Sequence, residues 1–129
     1  MYTSLDLFQT AHAMARHAGA RQTVVAQNIA NADTPGYQAM QIASFQDAFD
    51  GTSQSAQMQA TRPGHFLNTD ALQASAAYAP SEGEPSPNGN TVSLEDELMN
   101  SIAISREHNR ALSIYRHTMT ILRTSLGRN

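Results

Sequence analysis

The first quarter of the chain has the hydrophobic pattern of one long helix. From about Ser4 to Ala32 there is no Pro and a single Gly, and apolar or small residues recur at alternating steps of three and four. The members of this register are Leu5, Phe8, His12, Ala15, Gly19, Gln22, Ala26 and Ile29. We expect the helix to end near Asn31–Asp33, because Thr34-Pro35-Gly36 favours a turn.

The last quarter predicts a second long helix, from Val92 to Gly127. Ser93 fits an N-cap, acidic residues follow it, and Gly127 is a natural stop. One three-four register contains Leu94, Leu98, Ser101, Ser105, His108, Leu112, Tyr115, Met119, Leu122 and Leu126. A second apolar stripe contains Ile104, Ala111, Ile114, Thr118, Ile121 and Ser125. Because one hairpin partner covers one stripe, two stripes indicate an assembled state with several neighbouring helices.

The middle of the chain carries few large apolar residues and is rich in Gln, Ser and Ala. Ile42, Phe45 and Phe49 support a short helical piece near residues 43–49, and a Pro- and Gly-rich stretch precedes the last helix. We therefore predict an all-α fold, in which long N- and C-terminal helices form an antiparallel coiled-coil hairpin. The central segment is expected to be largely irregular or disordered.

This pattern divides the chain into three regions. Residues 1–37 would form the N-terminal helix and its turn, residues 38–91 a flexible central segment, and residues 92–129 the C-terminal helix. The apolar positions include many Ala and no Trp, so the hairpin would have a thin core. We expect other chains to complete this core, so that a purified monomer is only partly helical and gains helicity on assembly.

Composition excludes several classes of function. The 129 residues carry a net charge of −3 and contain no Lys, which argues against a nucleic-acid surface. Cys is absent, so disulfides and thiolate chemistry are excluded. No apolar run approaches the roughly 20 residues that a membrane-spanning helix needs, so we expect no direct membrane insertion. The N-terminus lacks the basic leader and apolar stretch of a cleavable signal peptide.

The candidate chemical groups do not form a catalytic or metal-binding pattern. His12 and His17 are five residues apart, so they do not share a helix face as a metal-binding pair would. Glu95, Asp96 and Glu97 are adjacent and fan around the helix, where they suit its N-terminal dipole. We expect no enzyme activity, no cofactor and no metal site.

The segment from Asn28 to Tyr37 admits two interpretations. In the first, it is only the end of a helix followed by a turn. In the second, Asn28 and Asn31 hydrogen-bond open carbonyls or a neighbouring backbone, Thr34-Pro35-Gly36 reverses the chain, and Tyr37 is an aromatic anchor. Composition alone does not decide between them.

The same segment resembles the signature near the N-terminus of bacterial flagellar axial proteins. The pattern Ala-Asn-x-x-Thr-Pro-Gly-Tyr is matched by Ala30, Asn31, Thr34, Pro35, Gly36 and Tyr37, and Asn28 and Ile29 extend it. Residues 61–66 and 89–92, with the ending from Tyr115 to Gly127, are similar to the proximal-rod B type of the flagellar basal-body rod protein family. The chain also has no room for a hook-type outer domain.

The resemblance implies a structural subunit that polymerises into the hollow periplasmic rod of the flagellar basal body. Family members are exported unfolded through the flagellar type III apparatus, without signal cleavage. The implied partners are other rod proteins, further copies of the chain, the export gate and hook–basal-body complex protein E. The residues expected to carry assembly are Asn28, Ile29, Asn31, Thr34, Pro35, Gly36, Tyr37, Leu98, Leu112, Tyr115, Met119 and Leu122.

Two alternatives stay open at this point. The chain could be the sibling rod protein C, since the signature is shared across the superfamily. It could also be a helical export adaptor or chaperone, which would bind other secreted proteins and remain in the cytoplasm.

Overall fold

Two long antiparallel helices dominate the computed structural model, which describes residues 2–54, 78–81 and 83–127. The first, α1, comprises Tyr2–Ala30, and the last, α3, comprises Leu94–Ser125. They contact each other along much of their length, as the hairpin prediction requires. A shorter helix, α2, comprises Phe45–Gln54. The structure is therefore mostly helical, and the predicted antiparallel packing of the two terminal helices agrees with it.

A small antiparallel sheet was not foreseen from the sequence. Strand β1, Met40–Ile42, pairs with strand β2, Tyr78–Pro80, so that Gln41 lies opposite Ala79. Strand β1 also packs against α1, with Ala39 and Ile42 buried. The central region thus contains α2 and a strand pair among its described residues. Much of the predicted irregular segment, residues 55–77, lies outside the described residues, as does the motif at 61–66.

The ends of the helices follow the local sequence. The hydroxyl of Ser93 accepts a hydrogen bond from the backbone N–H of Asp96, so Ser93 is the N-cap of α3. Helix α3 ends at Ser125, and Gly127 adopts a φ of 67°, as a C-terminal glycine stop requires. The short helix α2 begins at Phe45 rather than near residue 43 and extends past Phe49 to Gln54.

The face of α1 that meets α3 is shifted by one residue from the predicted register. His12, Gly19 and Ala26 are exposed, and their places in the interface are taken by the buried residues next to them in sequence, Ala11, Ala18 and Val25. Both sets of positions fit steps of three and four, so the spacing alone does not decide which set meets α3. The other members, Phe8, Ala15, Gln22 and Ile29, are half-buried, as the register implied.

The interface face of α3 is centred on the second predicted stripe. Glu97, Ile104, Ala111 and Thr118 are buried at intervals of seven residues. Ala18, Val25 and Ile104 form the hydrophobic cluster between the helices, with Ile29 packed against it. We call the buried interface positions of both helices the seam, comprising Ala11, Ala18, Val25, Ile104, Ala111 and Thr118.

A second layer covers one flank of α1, beside its interface with α3. His17 is buried there, with its ring edge-on to Phe45 of α2 at a centroid distance of 5.6 Å. Phe45 in turn stacks on Phe49 at 5.8 Å. This packing explains why α1 buries residues on more sides than one hairpin partner can cover.

Candidate functional site

Asn28 lies at the centre of the contacts between the end of α1, strand β1 and the start of α3. Its side chain is completely buried. Its amide nitrogen donates to the carbonyl of Met40 (2.7 Å) and to Oε1 of Glu97 (2.9 Å). Its Oδ1 accepts from the N–H of Met40 (3.1 Å) and from the hydroxyl of Tyr37 (3.3 Å). One side chain therefore joins three elements of the fold.

Glu97 brings an acidic group into this buried cluster. Its carboxylate is buried, and its Oε2 has no hydrogen-bond partner among the described residues. Burial raises the pKa of Glu97; the hydrogen bond from Asn28 opposes this shift and the neighbouring Asp96 adds to it. The charged form of Glu97 is thus disfavoured by the fold, which gives this end of the hairpin a pH-dependent stability.

Asn90 binds the turn that follows α1 from the opposite strand of the chain. It is 2% exposed, and its amide nitrogen lies 2.8–2.9 Å from the carbonyl oxygens of Asn31, Ala32 and Thr34. The two amide hydrogens are therefore shared among three acceptors. Its Oδ1 accepts from the N–H of Val92 (2.7 Å), two residues further along the chain.

The role of Asn90 was not foreseen from the sequence. In the sequence, residues 89–92 stand out only through their resemblance to the rod family. A turn directs several carbonyls inward over a few residues, and here one amide side chain donates to three of them. An Asn after a Pro- and Gly-rich stretch was the only available signal, and its partners lie 56–59 residues away.

The turn itself is built from local hydrogen bonds and two glycines. The side chain of Asn31 donates to the carbonyl of Gln27 (2.8 Å), and the hydroxyl of Thr34 donates to Oδ1 of Asn31 (3.2 Å). Gly36 and Gly89 have φ values of 72° and 80°. A Cβ on Gly89 would lie 3.5 Å from the Cα of Gly36, so the two backbone segments run close together.

Tyr37 and Thr91 fasten the chain just after the turn. The carbonyl of Tyr37 accepts from the N–H of Thr91 (3.1 Å), and the hydroxyl of Thr91 accepts from the N–H of Ala39 (2.8 Å). Through its hydroxyl, Tyr37 also contacts Asn28. Thr34, Pro35 and Gly36 remain exposed. We call residues 28–40 and 88–97 together the turn end of the hairpin.

The expected assembly residues do not form one site. Asn28, Ile29, Asn31, Thr34, Pro35, Gly36 and Tyr37 lie in the turn end. Leu98 lies beside this end and is 52% exposed. Leu112, Tyr115, Met119 and Leu122 lie in the C-terminal half of α3 and are half-buried. Tyr115 packs on Phe8 of α1, with ring centroids 4.4 Å apart.

Large apolar side chains remain exposed on α3 in its first three turns and near its end. This exposure fits the excess of apolar surface that the two stripes predicted. The exposed side chains are Leu94, Leu98, Met99, Ile102, Ile121 and Leu126.

Titratable groups elsewhere in the hairpin do not combine into a reactive centre. Arg21 and Glu107 form an ion pair between α1 and α3, with 2.7 Å between the guanidinium and the carboxylate. Burial lowers the pKa of His17; the nearby Arg21 lowers it further and Glu107 opposes the shift. Across residues 2–54, 78–81 and 83–127, no group of His, Asp and Glu is arranged to hold a metal ion. Among the same residues, no helix is long and apolar enough to cross a membrane.

A surface groove lies between α1 and α3. It has a volume of about 250 Å³ and lies beside Gly19, Gln22 and His108. A smaller depression of about 80 Å³ lies between β1 and the start of α3. Both are lined by seam residues and their neighbours, so they belong to the helix packing.

This geometry defines a class of protein: a helical hairpin with a hydrogen-bonded turn and exposed apolar side chains along its last helix. The family model described as "Flagella basal body rod protein" matches residues 12–38, which span most of α1 and the turn through Tyr37. The chain is 32% identical over 124 residues to the "Flagellar basal body rod protein FlgB" of Agrobacterium fabrum strain C58, covering 92% of each chain. It therefore belongs to the flagellar basal body rod protein family.

Proposed function

We propose that the chain is a structural subunit of the proximal rod of the bacterial flagellar basal body. The observation that carries this proposal is the similarity to a basal body rod protein over nearly the whole chain. The fold supports it physically, because a hairpin with a thin seam and exposed Leu, Met and Ile side chains is suited to packing among other helices.

The rod subunit works by helix packing rather than by catalysis. Each hairpin buries one face of α1 against α3 and offers its remaining apolar positions to neighbouring subunits. Many packed interfaces would then share the load when the hollow shaft transmits torque. Leu98 is well placed for such contacts because half of its side chain is exposed.

The turn end has an indirect part in assembly. Asn28, Asn31 and Tyr37 use their polar groups inside the hairpin, so we infer that they position the exposed Thr34-Pro35-Gly36 for a neighbour. Leu112, Tyr115, Met119 and Leu122 are half-buried, and we infer that neighbouring subunits cover their remaining surface.

The proposed partners are other rod proteins, further copies of the chain, the export gate and hook–basal-body complex protein E. Export would proceed with the chain unfolded, through the flagellar type III apparatus and without cleavage. The thin seam supports this route, since a hairpin with few buried large side chains is easily unfolded and gains its full stability on assembly.

Localisation tests the proposal directly. Deleting the gene should abolish motility, and a tagged chain should restore it and co-purify with hook–basal bodies. Intact-mass analysis of the recovered chain should show an uncleaved N-terminus. A motile deletion strain would contradict the rod assignment. A chain found only in the cytoplasm would favour an export adaptor.

Cross-complementation separates the two rod candidates. The chain should restore motility to a strain that lacks its proximal-rod B protein and should fail in one that lacks rod protein C. The reverse result would assign it to the C type.

Circular dichroism of the purified chain tests whether folding is completed on assembly. We expect partial helicity in the monomer, increasing when rod partners are added. A fully helical monomer that melts cooperatively would contradict coupled folding while leaving the rod assignment intact.

A further inference from the structure

Asn88 and Gly89 form a dipeptide that is prone to a spontaneous reaction. Asn88 is the only asparagine of the chain that a glycine follows. Because glycine has no Cβ to shield its backbone nitrogen, this nitrogen can reach the side-chain amide carbon of a preceding asparagine. The product is a five-membered succinimide ring. Ring closure therefore depends on the conformation in which the fold holds these two residues.

The dipeptide lies in a tight turn. The N–H of Gly89 donates to the carbonyl of Ser86 (2.8 Å), which closes a four-residue turn with Pro87 at its second position. Asn88 occupies the third position and has a negative φ, as every described non-glycine residue has. These features define a type I turn, in which the third residue has a ψ of about 0°.

This turn opposes ring closure. The ring needs the Cβ of Asn88 and the nitrogen of Gly89 on the same side of the Cα–C bond, whereas a ψ of about 0° turns the nitrogen away from the Cβ. The attacking N–H is already bonded to Ser86, and the Oδ1 of Asn88 accepts from the N–H of Asn90 (3.0 Å), which fixes the side chain. Burial has no part in this, because Asn88 is exposed. An unfolded chain has none of these constraints.

The backbone at Asn88 also helps to hold the turn end together. Its carbonyl accepts from the N–H of Gly36 (3.0 Å), and a Cβ on Gly89 would lie only 3.5 Å from the Cα of Gly36. Two residues further along, the side chain of Asn90 binds three carbonyls of the turn that follows α1. An extra backbone atom at position 88 would therefore disturb contacts on both sides of the turn end.

We propose that Asn88 is a modification site that the folded turn protects and the unfolded chain exposes. In the unfolded chain, the nitrogen of Gly89 loses its proton and bonds to Cγ of Asn88, the Cγ–Nδ2 bond breaks, and ammonia leaves with that proton. Water then opens the ring. Opening at Cγ gives aspartate, whereas opening at the backbone carbonyl carbon gives isoaspartate, whose main chain is longer by one carbon. The sequence of steps needs water but no oxidant or reductant.

The two products have different consequences for the fold. Aspartate at position 88 keeps an oxygen that can accept from the N–H of Asn90. Isoaspartate instead moves Gly89 and Asn90 out of register with Gly36 and the turn carbonyls. A chain that stays unfolded for long would thus lose its ability to form the turn end. This inference goes beyond the proposed rod function and does not rest on it, because it depends only on the turn.

Incubation of the full-length chain in mildly alkaline buffer compares the two states. One sample is unfolded in urea and the other is kept folded by an osmolyte. A peptide of residues 85–91 in both samples corrects for the solvent. Mass mapping follows the conversion of Asn88, and an isoaspartate-specific methyltransferase identifies the isoaspartate.

We expect Asn88 to convert at least about tenfold faster in the unfolded chain, because the folded turn must open before the ring can close. Asn100, which precedes Ser101 in α3, is the internal control and should change little in either sample. Equal rates at Asn88 in the two states would overturn the proposal. So would an unfolded chain in which Asn100 converts as fast as Asn88.

Gly89→Ala tests the route of the reaction. In urea, the strain of a φ of 80° is absent, and a Cβ beside the attacking nitrogen should lower the rate at Asn88 by about tenfold. An unchanged rate would mean that Asn88 does not react through the nitrogen of residue 89, which contradicts the proposal.

Refolding separates the effects of the two products. After incubation in urea, the chain is returned to the osmolyte, and the fraction that fails to regain helicity by circular dichroism should equal the isoaspartate fraction. Fresh Asn88→Asp should refold like the parent chain. Asn88→Gln, incubated in the same way, should refold like fresh Asn88→Gln, which controls for other damage. Full refolding of the isoaspartate form, or an Asn88→Asp chain that fails to refold, would overturn the assignment of the damage to the longer main chain.

Discussion

The turn end and the seam hold the same two helices together by different means. At the turn end, Asn28 and Asn90 are buried among backbone carbonyls and amides and make hydrogen bonds to several elements. Along the seam, the contacts come from small side chains such as Ala18 and Ala111, with little apolar area at each position. The turn end is held by hydrogen bonds between buried polar groups, whereas the seam is held by the close approach of the two helix backbones.

The difference shows which region specifies the fold and which leaves room for partners. A buried amide tolerates few replacements, because a lost partner leaves polar groups unsatisfied. A seam of small residues lets helices approach closely but contributes little hydrophobic stabilisation per residue. We infer that the turn end fixes how α1 meets α3, and that assembly supplies much of the stability of the helices.

Replacing Asn90 should have the largest effect. Asn90→Ala removes the amide donor that the carbonyls of Asn31, Ala32 and Thr34 share and the acceptor of the Val92 N–H, and we expect the free energy of unfolding to fall by about 3 kcal/mol. Urea unfolding followed by circular dichroism, in an osmolyte that favours the folded state, measures this. Asn109→Ala, at an exposed position of α3, is the control. Equal effects of the two changes would remove the distinction between the turn end and the rest of the hairpin.

Enlarging the seam should cost somewhat less. Ala111 is fully buried between the helices, and Ala111→Leu should destabilise the hairpin by about 2 kcal/mol through overpacking. Ala103→Leu places the same side chain on the exposed face of α3. The unfolding midpoints of the two variants, compared under the same conditions, give the difference. If Ala111→Leu were as stable as the parent chain, the seam would not depend on a close approach of the two helices.

Glu97 should give a smaller, pH-dependent effect at the turn end. Its pKa is raised in the fold, so stability increases as the pH falls through the folded pKa towards the unfolded one. Glu97→Gln keeps an acceptor for Asn28 and should stabilise the hairpin at pH 7 by about 1 kcal/mol. Unfolding measured between pH 4 and 8 checks this. A Glu97→Gln variant that is less stable than the parent at pH 7 would contradict the prediction.

His17 should produce the opposite pH dependence. Its pKa is lowered in the fold, so stability is lost as the pH falls through the ordinary histidine value of about 6.5. His17→Gln should remove this loss while leaving the contribution of Glu97 in place. The pH dependence of unfolding, measured for His17→Gln and for Glu97→Gln, separates the contributions of His17 and Glu97. If His17→Gln lost as much stability at acid pH as the parent chain, His17 would not be the group responsible for that loss.

Two glycines should give the smallest effects, with opposite signs. Gly19 lies on the exposed face of α1, where a Cβ would meet no other atom, so Gly19→Ala should stabilise the helix by about 0.5–1 kcal/mol. Gly36 has a φ of 72°, so Gly36→Ala should destabilise the turn by about 1 kcal/mol. Thermal melts of both variants test the pair. Should Gly19→Ala also block entry into hook–basal bodies, a neighbouring subunit must approach α1 at that point.

Local sequence was sufficient for the parts of the fold that depend on neighbouring residues. The two long helices, the cap at Ser93, the turn at Thr34-Pro35-Gly36 and the stop at Gly127 all follow from nearby side chains and backbone preferences. Of the two interpretations that the segment from Asn28 to Tyr37 left open, one paired Asn28 with a neighbouring backbone, and in the structure it bonds both backbone groups of Met40. These features have few alternatives, because Pro, Gly and capping side chains restrict the backbone directly.

Tertiary structure alone decided which faces meet and which distant groups pair. The spacing of the sequence allowed either Ala18 or Gly19 in the seam, and only packing against α3 selected Ala18, which is buried with Val25 and Ile104. It gave no sign that Asn90 would bind the turn after α1 or that Glu97 would be buried against Asn28. Such contacts join residues far apart in the chain, so their energies depend on the arrangement of whole elements rather than on any local pattern.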